Sequence, residues 1–253
     1  MSNPQYLSGR NAVVTGSTSG IGAAIARTLA AHGASVVVTG HDARRGAGVV
    51  SDIESVGGSA VFVTGDLASG PADLRQLAVA WTAALAGRID ILVHNAAICP
   101  AVDTVSLTDG ELEATLAVNV RAPQVLTATL APAMADRGGG AIVVIGSWMA
   151  TLGHPSAGFY SATKAAEAEL ARSWAAEFGP RGLRVNTISP GATRSPINAD
   201  SGDIISRMTA GIPAGRPGTP EEVAAAVAWV VSDEASYIHG AVIPVDGGIS
   251  ATR

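Results

Sequence analysis

The feature that most restricts what this chain can fold into is an alternation. Seven short runs rich in β-branched residues are Asn11–Thr15, Ser35–Thr39, Ala60–Thr64, Ile89–Val93, Ala141–Ile145, Arg184–Ile188 and Ala241–Val245. They are almost continuously apolar, as strands are when both faces of their sheet are covered. Between them the segments Ile21–His32, Ala43–Val56, Ala72–Ala86, Gly110–Met134, Phe159–Phe178 and Glu221–Val231 read as helices. Two helix starts carry recognisable chemistry. Thr108 and Glu111 have capping-box spacing, and Thr219-Pro220-Glu221-Glu222 adds a proline at the first helical position. The alternation predicts an α/β fold: one doubly wound, seven-stranded parallel sheet with helices on both faces.

Composition narrows the function. No change in composition divides the 253 residues, so residues 1–253 are read as one domain. With 47% hydrophobic residues the chain is too apolar for disorder. A net charge of −5 argues against a nucleic-acid partner, which needs a basic face. Cys99 is the single cysteine, which excludes an internal disulfide and a multi-cysteine metal site; no metal is expected. It is expected to be an inert, buried thiol. The longest apolar run, Val223–Val231, is too short to cross a bilayer, and Met1–Arg10 has no apolar core of the secretory type. A cytoplasmic protein without a membrane partner is therefore expected. One segment breaks the rhythm: residues 190–220 hold five prolines and several glycines. A long irregular stretch in a compact domain is usually functional or disordered, and this one is read as a lid over a substrate pocket, with a mobile surface loop as the alternative.

The first strand runs into Thr15-Gly16-Ser17-Thr18-Ser19-Gly20-Ile21-Gly22 and then a helix. Glycines let such a turn close and let backbone approach a pyrophosphate, while the helix N-terminus offers free N–H groups. No lysine follows the last glycine, so this is not a nucleotide-triphosphate loop. The placement at the first strand–helix junction predicts a dinucleotide site. The second strand ends Thr39-Gly40-His41-Asp42. NAD selection normally places an acid at this strand end, and Gly40 cannot serve. His41, Arg44 and Arg45 suit a 2′-phosphate, which leans the reading to NADP. Asp42 either caps the next helix or takes the ribose, which leaves NAD open.

Tyr160-Ser161-Ala162-Thr163-Lys164 is the most informative pentapeptide. Lys164 is the only lysine among sixteen basic residues. With three tyrosines in 253 positions (3/253), the sole lysine would follow one by four residues about once in eighty by chance. On a helix the two share a face. A compact ammonium is not equivalent to the planar fork of arginine used everywhere else in the chain. Ser147 lies just past the Ala141–Ile145 strand, at a carboxyl end where doubly wound sheets bind ligands. Asn119 is a polar residue between Val118 and Val120 in the long Gly110–Met134 helix.

In combination these motifs resemble the short-chain dehydrogenase/reductase family, in its single-domain form of about this length. The elements occur in order over nearly the whole chain: Thr15-Gly16-x-x-x-Gly20-x-Gly22, Asp66-Leu67, Asn95-Ala96-Ala97, Asn119, Ser147, Tyr160-x-x-x-Lys164, Pro190-Gly191 and Asp246-Gly247-Gly248. There are two departures. His94 stands where the family often has asparagine. Ser19 is not basic, although many NADP-using members carry a basic residue in this turn.

The resemblance implies a Rossmann-type fold and an NAD(P)-dependent oxidoreductase that interconverts an alcohol and a ketone or aldehyde by hydride transfer. Tyr160 would be the general acid and base. A phenol normally titrates near 10, too high for an efficient base at neutrality. An ammonium at about 4 Å, at an effective dielectric near 20, would favour the phenolate by roughly 4 kcal/mol, at most about three pKa units. Lys164 would also hold the nicotinamide ribose, Ser147 would bond the substrate oxygen, and Asn119 would position a water leading from Lys164 to solvent. Gly16, Ser17, Ser19, Gly20, Ile21, Gly22, His41, Asp66, Leu67, Asn95, Tyr160, Lys164, Pro190, Gly191 and Ser195 would contact the cofactor. Trp148, Met149 and residues 197–212 would face a small-molecule substrate with apolar bulk. Relatives are often homotetramers built on the two long helices, and Ala162, Ala165, Ala166 and Glu169 would form the packing face. Two other readings remain: a non-catalytic cofactor-binding protein on the same fold, and an epimerase or dehydratase, whose extra substrate domain 253 residues leave no room for.

Overall fold

The computed structural model describes residues 5–194 and 204–252. Its strands are β1 (Asn11–Val14), β2 (Ser35–Gly40), β3 (Ser59–Thr64), β4 (Ile91–His94), β5 (Gly140–Ile145), β6 (Leu183–Pro190) and β7 (Val242–Val245). All seven pair in parallel in the order β3-β2-β1-β4-β5-β6-β7. The helices are α1 (Gly20–Ala31), α2 (Ala43–Ser55), α3 (Pro71–Ala84), α4 (Asp109–Leu116), α5 (Ala122–Asp136), α6 (Gly158–Phe178), α7 (Ile204–Thr209) and α8 (Pro220–Val231). This is the doubly wound Rossmann-type sheet expected from the alternation.

Two apolar layers sandwich the sheet. Ile25 and Leu29 of α1 and Val223 and Val227 of α8 pack with Val14, Val36 and Val38 on one face. Leu74 and Trp81 of α3, Leu126 and Leu130 of α5, and Trp174 of α6 pack with Val13, Val37, Leu92 and Val144 on the other. Consecutive strand residues such as Val36, Val37 and Val38 thus feed opposite layers. Strand order reverses between β1 and β4, and such a reversal opens a crevice at the carboxyl ends of the strands.

The expected Gly110–Met134 helix is present, with one irregular turn inside it. Between α4 and α5 lies a π turn, Ala117–Arg121, in which the Ala122 N–H donates to the Ala117 carbonyl. Pro123 explains the break, because it has no N–H for the carbonyl four residues back, that of Asn119. Both expected capping boxes are present: Thr108 with Glu111 at α4, and Thr219 with Glu222 at α8.

The 190–220 segment is partly regular. Its two roots meet in a bridge between Thr193 and Gly218, and α7 lies between them. Arg194 donates to Ser206 Oγ at 2.9 Å. Asp246, Gly247 and Gly248 receive the second root: the Ala214 N–H donates to the Gly247 carbonyl at 3.0 Å, and a Cβ on Gly248 would lie 2.6 Å from Pro213.

Candidate active site

The crevice between β1 and β4 is lined by backbone held in one clasp. Thr15 Oγ1 accepts from the N–H groups of Asn95 and Ala96 at 2.9 and 3.1 Å. Asn95 Nδ2 donates to the carbonyls of Thr15 and Gly16 at 2.9 and 3.2 Å. This leaves no room at Gly22, where a Cβ would sit 2.4 Å from both Asn95 Nδ2 and the Gly16 oxygen. Gly16 has φ +63°, and a Cβ there would reach 2.9 Å from Ala96. Ser17 is fully buried; its hydroxyl donates to the Val14 carbonyl and accepts from Thr39 N–H. Ser17 therefore braces β1 against β2, and its hydroxyl is already engaged. Ser19 precedes α1 without capping it, so among the described residues the first N–H groups of this twelve-residue helix receive no side-chain cap. Ile21 and Gly20 form that first turn. A tight glycine turn with an uncapped helix start fits a dinucleotide pyrophosphate.

At the end of β2, Asp42 acts as a helix cap. Its carboxylate accepts from Arg45 N–H at 2.9 Å and pairs with Arg45 Nε at 2.7 Å, which holds it below the usual carboxylate range. His41 and Arg44 are exposed. A side chain at Gly40 would collide with Thr18 of the glycine turn at 2.9 Å. Asp66 is exposed and closes its own turn through Ala68 N–H, while Leu67 packs partly into the core. Arg121 of the π turn donates to the carbonyls of Ala68 and Ser69, tying this loop to the catalytic half. Pro190 ends β6, and the Gly191 N–H donates to the Val245 carbonyl at 3.1 Å. Ser195 lies outside the described residues.

The four residues singled out for catalysis converge around β5 and α6. Ser147 follows β5 and accepts from Met149 N–H at 3.2 Å. Tyr160 opens α6, half-buried, with Lys164 one turn later. The Lys164 ammonium lies 5.9 Å from the Tyr160 ring centroid and donates to the Ile145 carbonyl at 2.8 Å. Asn119 is fully buried and reaches α6 through Thr163 Oγ1 at 3.0 Å. Both of its amide hydrogens have protein partners, so its side chain acts as a brace as well as a lining group.

The electrostatics differ from the expectation of an acidified phenol. Burial is the largest influence and holds Tyr160 above its ordinary value. The Lys164 charge and a hydrogen bond with Ser147 act the other way; Cys99 and Glu167 add to burial. The missing element is Glu167. Its carboxylate lies 2.6 Å from the Lys164 ammonium, and both side chains are buried. An acid three residues after the sole lysine was the available signal, but its inward orientation depends on the packing of α6. His94 was noticed only as a departure. It is buried, Nε2 meets Thr127 Oγ1 at 2.9 Å, and burial lowers its pKa to about 3, so the ring is neutral. Cys99 is exposed, contrary to the buried thiol expected, because it sits on the loop after β4 and not in the sheet. Trp148 is buried with Ile212 and Ile249, and Met149, Leu152 and Met208 pack against them. The tryptophan thus supports the far root of the 190–220 segment. Among the described residues no His, Cys, Asp and Glu cluster suits a metal, and no helix is long and apolar enough to cross a membrane.

Comparison with known proteins agrees with this fold. A family model described as enoyl-(acyl carrier protein) reductase matches residues 16–250. The human dehydrogenase/reductase SDR family member 4 is 36% identical over 98% of this chain and 90% of its own. The chain belongs to the short-chain dehydrogenase/reductase family. A solved member of that family is 42% identical, with a TM-score of 0.89 over 98% of this chain and all of its own. A 3-oxoacyl (acyl-carrier-protein) reductase from Agrobacterium tumefaciens C58, solved with NADP bound, is 34% identical, with a TM-score of 0.91 over 96% of each chain. As a short-chain dehydrogenase/reductase, this protein is an oxidoreductase enzyme.

Proposed function

We propose that the protein interconverts a secondary or primary alcohol and its ketone or aldehyde, using a nicotinamide dinucleotide with NADP preferred. The observation that carries this is the buried Lys164 ammonium beneath the Tyr160 ring, at the carboxyl end of β5 and next to Ser147. A bound nicotinamide would supply or accept the hydride. Tyr160 gives its phenolic proton to the carbonyl oxygen during reduction and takes the alcohol proton during oxidation. Ser147 donates a hydrogen bond to that oxygen as charge develops on it. Lys164 holds positive charge beneath the phenol and is pinned by the Ile145 carbonyl.

The glycine turn Gly16–Gly22 and the α1 N-terminus would hold the pyrophosphate, with Ser17, Ser19, Gly20 and Ile21 contributing backbone. Asp66 and Leu67 would flank the adenine, and Asn95, Pro190, Gly191 and Ser195 the nicotinamide half. The NADP preference is supported by Gly40, where Thr18 leaves no room for a ribose-binding carboxylate, and by the exposed His41 and Arg44. It is also in keeping with the NADP bound in the Agrobacterium relative.

The described part of the 190–220 segment acts as the lid of a single domain, over a small-molecule substrate with apolar bulk near Met149, Leu152 and Met208; residues 195–203 lie outside the described residues. Ala162 and Ala165 are exposed on α6, which supports a homotetramer through close helix packing; sedimentation as a monomer would contradict it. A cytoplasmic location goes with this reading. The deciding experiment is a side-by-side titration with NADPH and NADH, followed by a carbonyl and alcohol panel with the tighter cofactor. Turnover is expected, abolished by Tyr160→Phe with cofactor affinity kept. No binding and no turnover would refute the proposal.

A further inference from the structure

Glu167 stands out because the reaction proposed above does not require it. It points inward from α6 with 1% of its side chain exposed, and Lys164 is 2% exposed. Oε1 meets no hydrogen-bond donor among the described residues. A buried carboxylate is costly and persists only when paired. Its partner is the buried Lys164 ammonium.

We infer that Glu167 is a positioning residue: its carboxylate, 2.6 Å from the Lys164 ammonium, fixes that ammonium against the Ile145 carbonyl and keeps the Tyr160 phenol protonated to higher pH. The inference rests on the reading of Tyr160 as the acid and base.

Charge counting carries the argument. With a neutral phenol, the buried set holds one ammonium and one carboxylate and is electrically balanced. Converting Tyr160 to phenolate leaves a net negative charge in the same buried space. Without Glu167, the phenolate would instead balance the ammonium. A nearby negative charge raises the proton affinity of every neighbour, so the sign is the same for Tyr160 and for Lys164.

The other polar groups around the pair do not cancel this effect. His94, from β4, is neutral and bonded to Thr127 of α5. Cys99, from the following loop, acts on Tyr160 in the same direction as Glu167. Ser147 and Asn119 carry no charge. Lys164 itself is held above the ordinary lysine value with Glu167 and Tyr160 as the charges responsible, against the pull of burial. Burial also pushes the Glu167 carboxyl up, so the pair keeps its protons more tightly than either group does in water. Reduction draws on the phenol and oxidation on the phenolate, so the Tyr160 titration sets the pH at which the rate of each turns over.

The test is the pH dependence of kcat/KM for carbonyl reduction with NADPH, in wild type, Glu167→Gln and Glu167→Leu. The alkaline limb should move to lower pH by about one unit or more in both variants, a tenfold loss on the limb. The acid limb for alcohol oxidation should move down by the same amount. Lower rates with an unmoved limb, or a limb that moves upward, would overturn the inference and leave a packing role.

Should both variants fail to fold, the apoenzyme decides. The ultraviolet absorbance of phenolate is titrated in wild type and Tyr160→Phe, and the difference reports Tyr160 alone. The same difference is taken on a Glu167→Ala background: a Tyr160 midpoint that falls on removal of the carboxylate supports the inference, and one that stays or rises overturns it. Absence of any wild-type turnover would count against the proposed function, while this spectroscopic arm still judges Glu167.

Discussion

The Asn119 carboxamide brackets the backbone of Ile98, accepting from its N–H at 2.8 Å and donating to its carbonyl at 2.9 Å. Its remaining amide hydrogen goes to Thr163 Oγ1. One side chain therefore ties the π turn to the loop after β4 and to the helix carrying Tyr160 and Lys164. Asn119→Ala removes the partner of the half-buried Ile98 N–H and carbonyl. A stability loss on the order of 1–3 kcal/mol is expected, read as a lower urea midpoint. Turnover should fall with it; an unchanged midpoint would show that the bracket contributes nothing.

Gly40 and Thr18 govern cofactor choice by sterics. Gly40→Asp alone should weaken both dinucleotides, because the new Cβ meets Thr18 at 2.9 Å and displaces the glycine turn. Adding Thr18→Gly removes the obstacle. The double variant is expected to bind NADH at least about tenfold better relative to NADPH than wild type does, a difference of about 1.4 kcal/mol. Competitive titration of the two reduced cofactors measures it.

Removing the cation exposes the cost of its partner. Lys164→Met leaves Glu167 buried without a counter-charge, a defect that typically costs about 3–5 kcal/mol when the acid is ionised. The carboxyl then stays protonated in the folded protein to pH values well above its unfolded value near 4.3. The folded state holds the extra proton, so stability is full below the unfolded pKa and is lost as pH rises through the folded one. Lys164→Met/Glu167→Gln should lack that slope. Urea midpoints between pH 5 and 8 distinguish the two, and equal slopes would contradict the buried pairing.

His94 works in the opposite sense. Its folded pKa of about 3 lies below the ordinary 6.5, so the unfolded chain binds a proton that the folded chain refuses. Its contribution is complete above pH 6.5 and disappears as pH falls toward 3, by an amount of order 4–5 kcal/mol at most. His94→Asn should flatten the acid side of the stability profile, measured as thermal midpoint against pH. An unaltered acid limb would mean that the imidazole is not buried in this way.

Much of the site was legible because its chemistry is local in sequence. The spacing of Gly16, Gly20 and Gly22 shapes one turn, and Tyr160 and Lys164 share a face through helix periodicity. Asn119 was noticed as a polar residue among valines, and Pro123, four residues on, already forbade the regular helix bond across it. Glu167 was passed over and Cys99 misread for one reason: whether a side chain faces in or out depends on what packs over it.

What the order of residues determined alone was the succession of elements, their caps, the glycine turn, and the pairing of one tyrosine with the only lysine. These follow from backbone sterics and from contacts three or four positions apart. The fold alone decided that β1 and β4 lie side by side, that Asn95 clasps Thr15 across eighty positions, and that Asp42 caps a helix. It also decided that Glu167 neutralises Lys164. Those relations depend on burial and on distances between segments remote in the chain, and burial determines what a charge is worth.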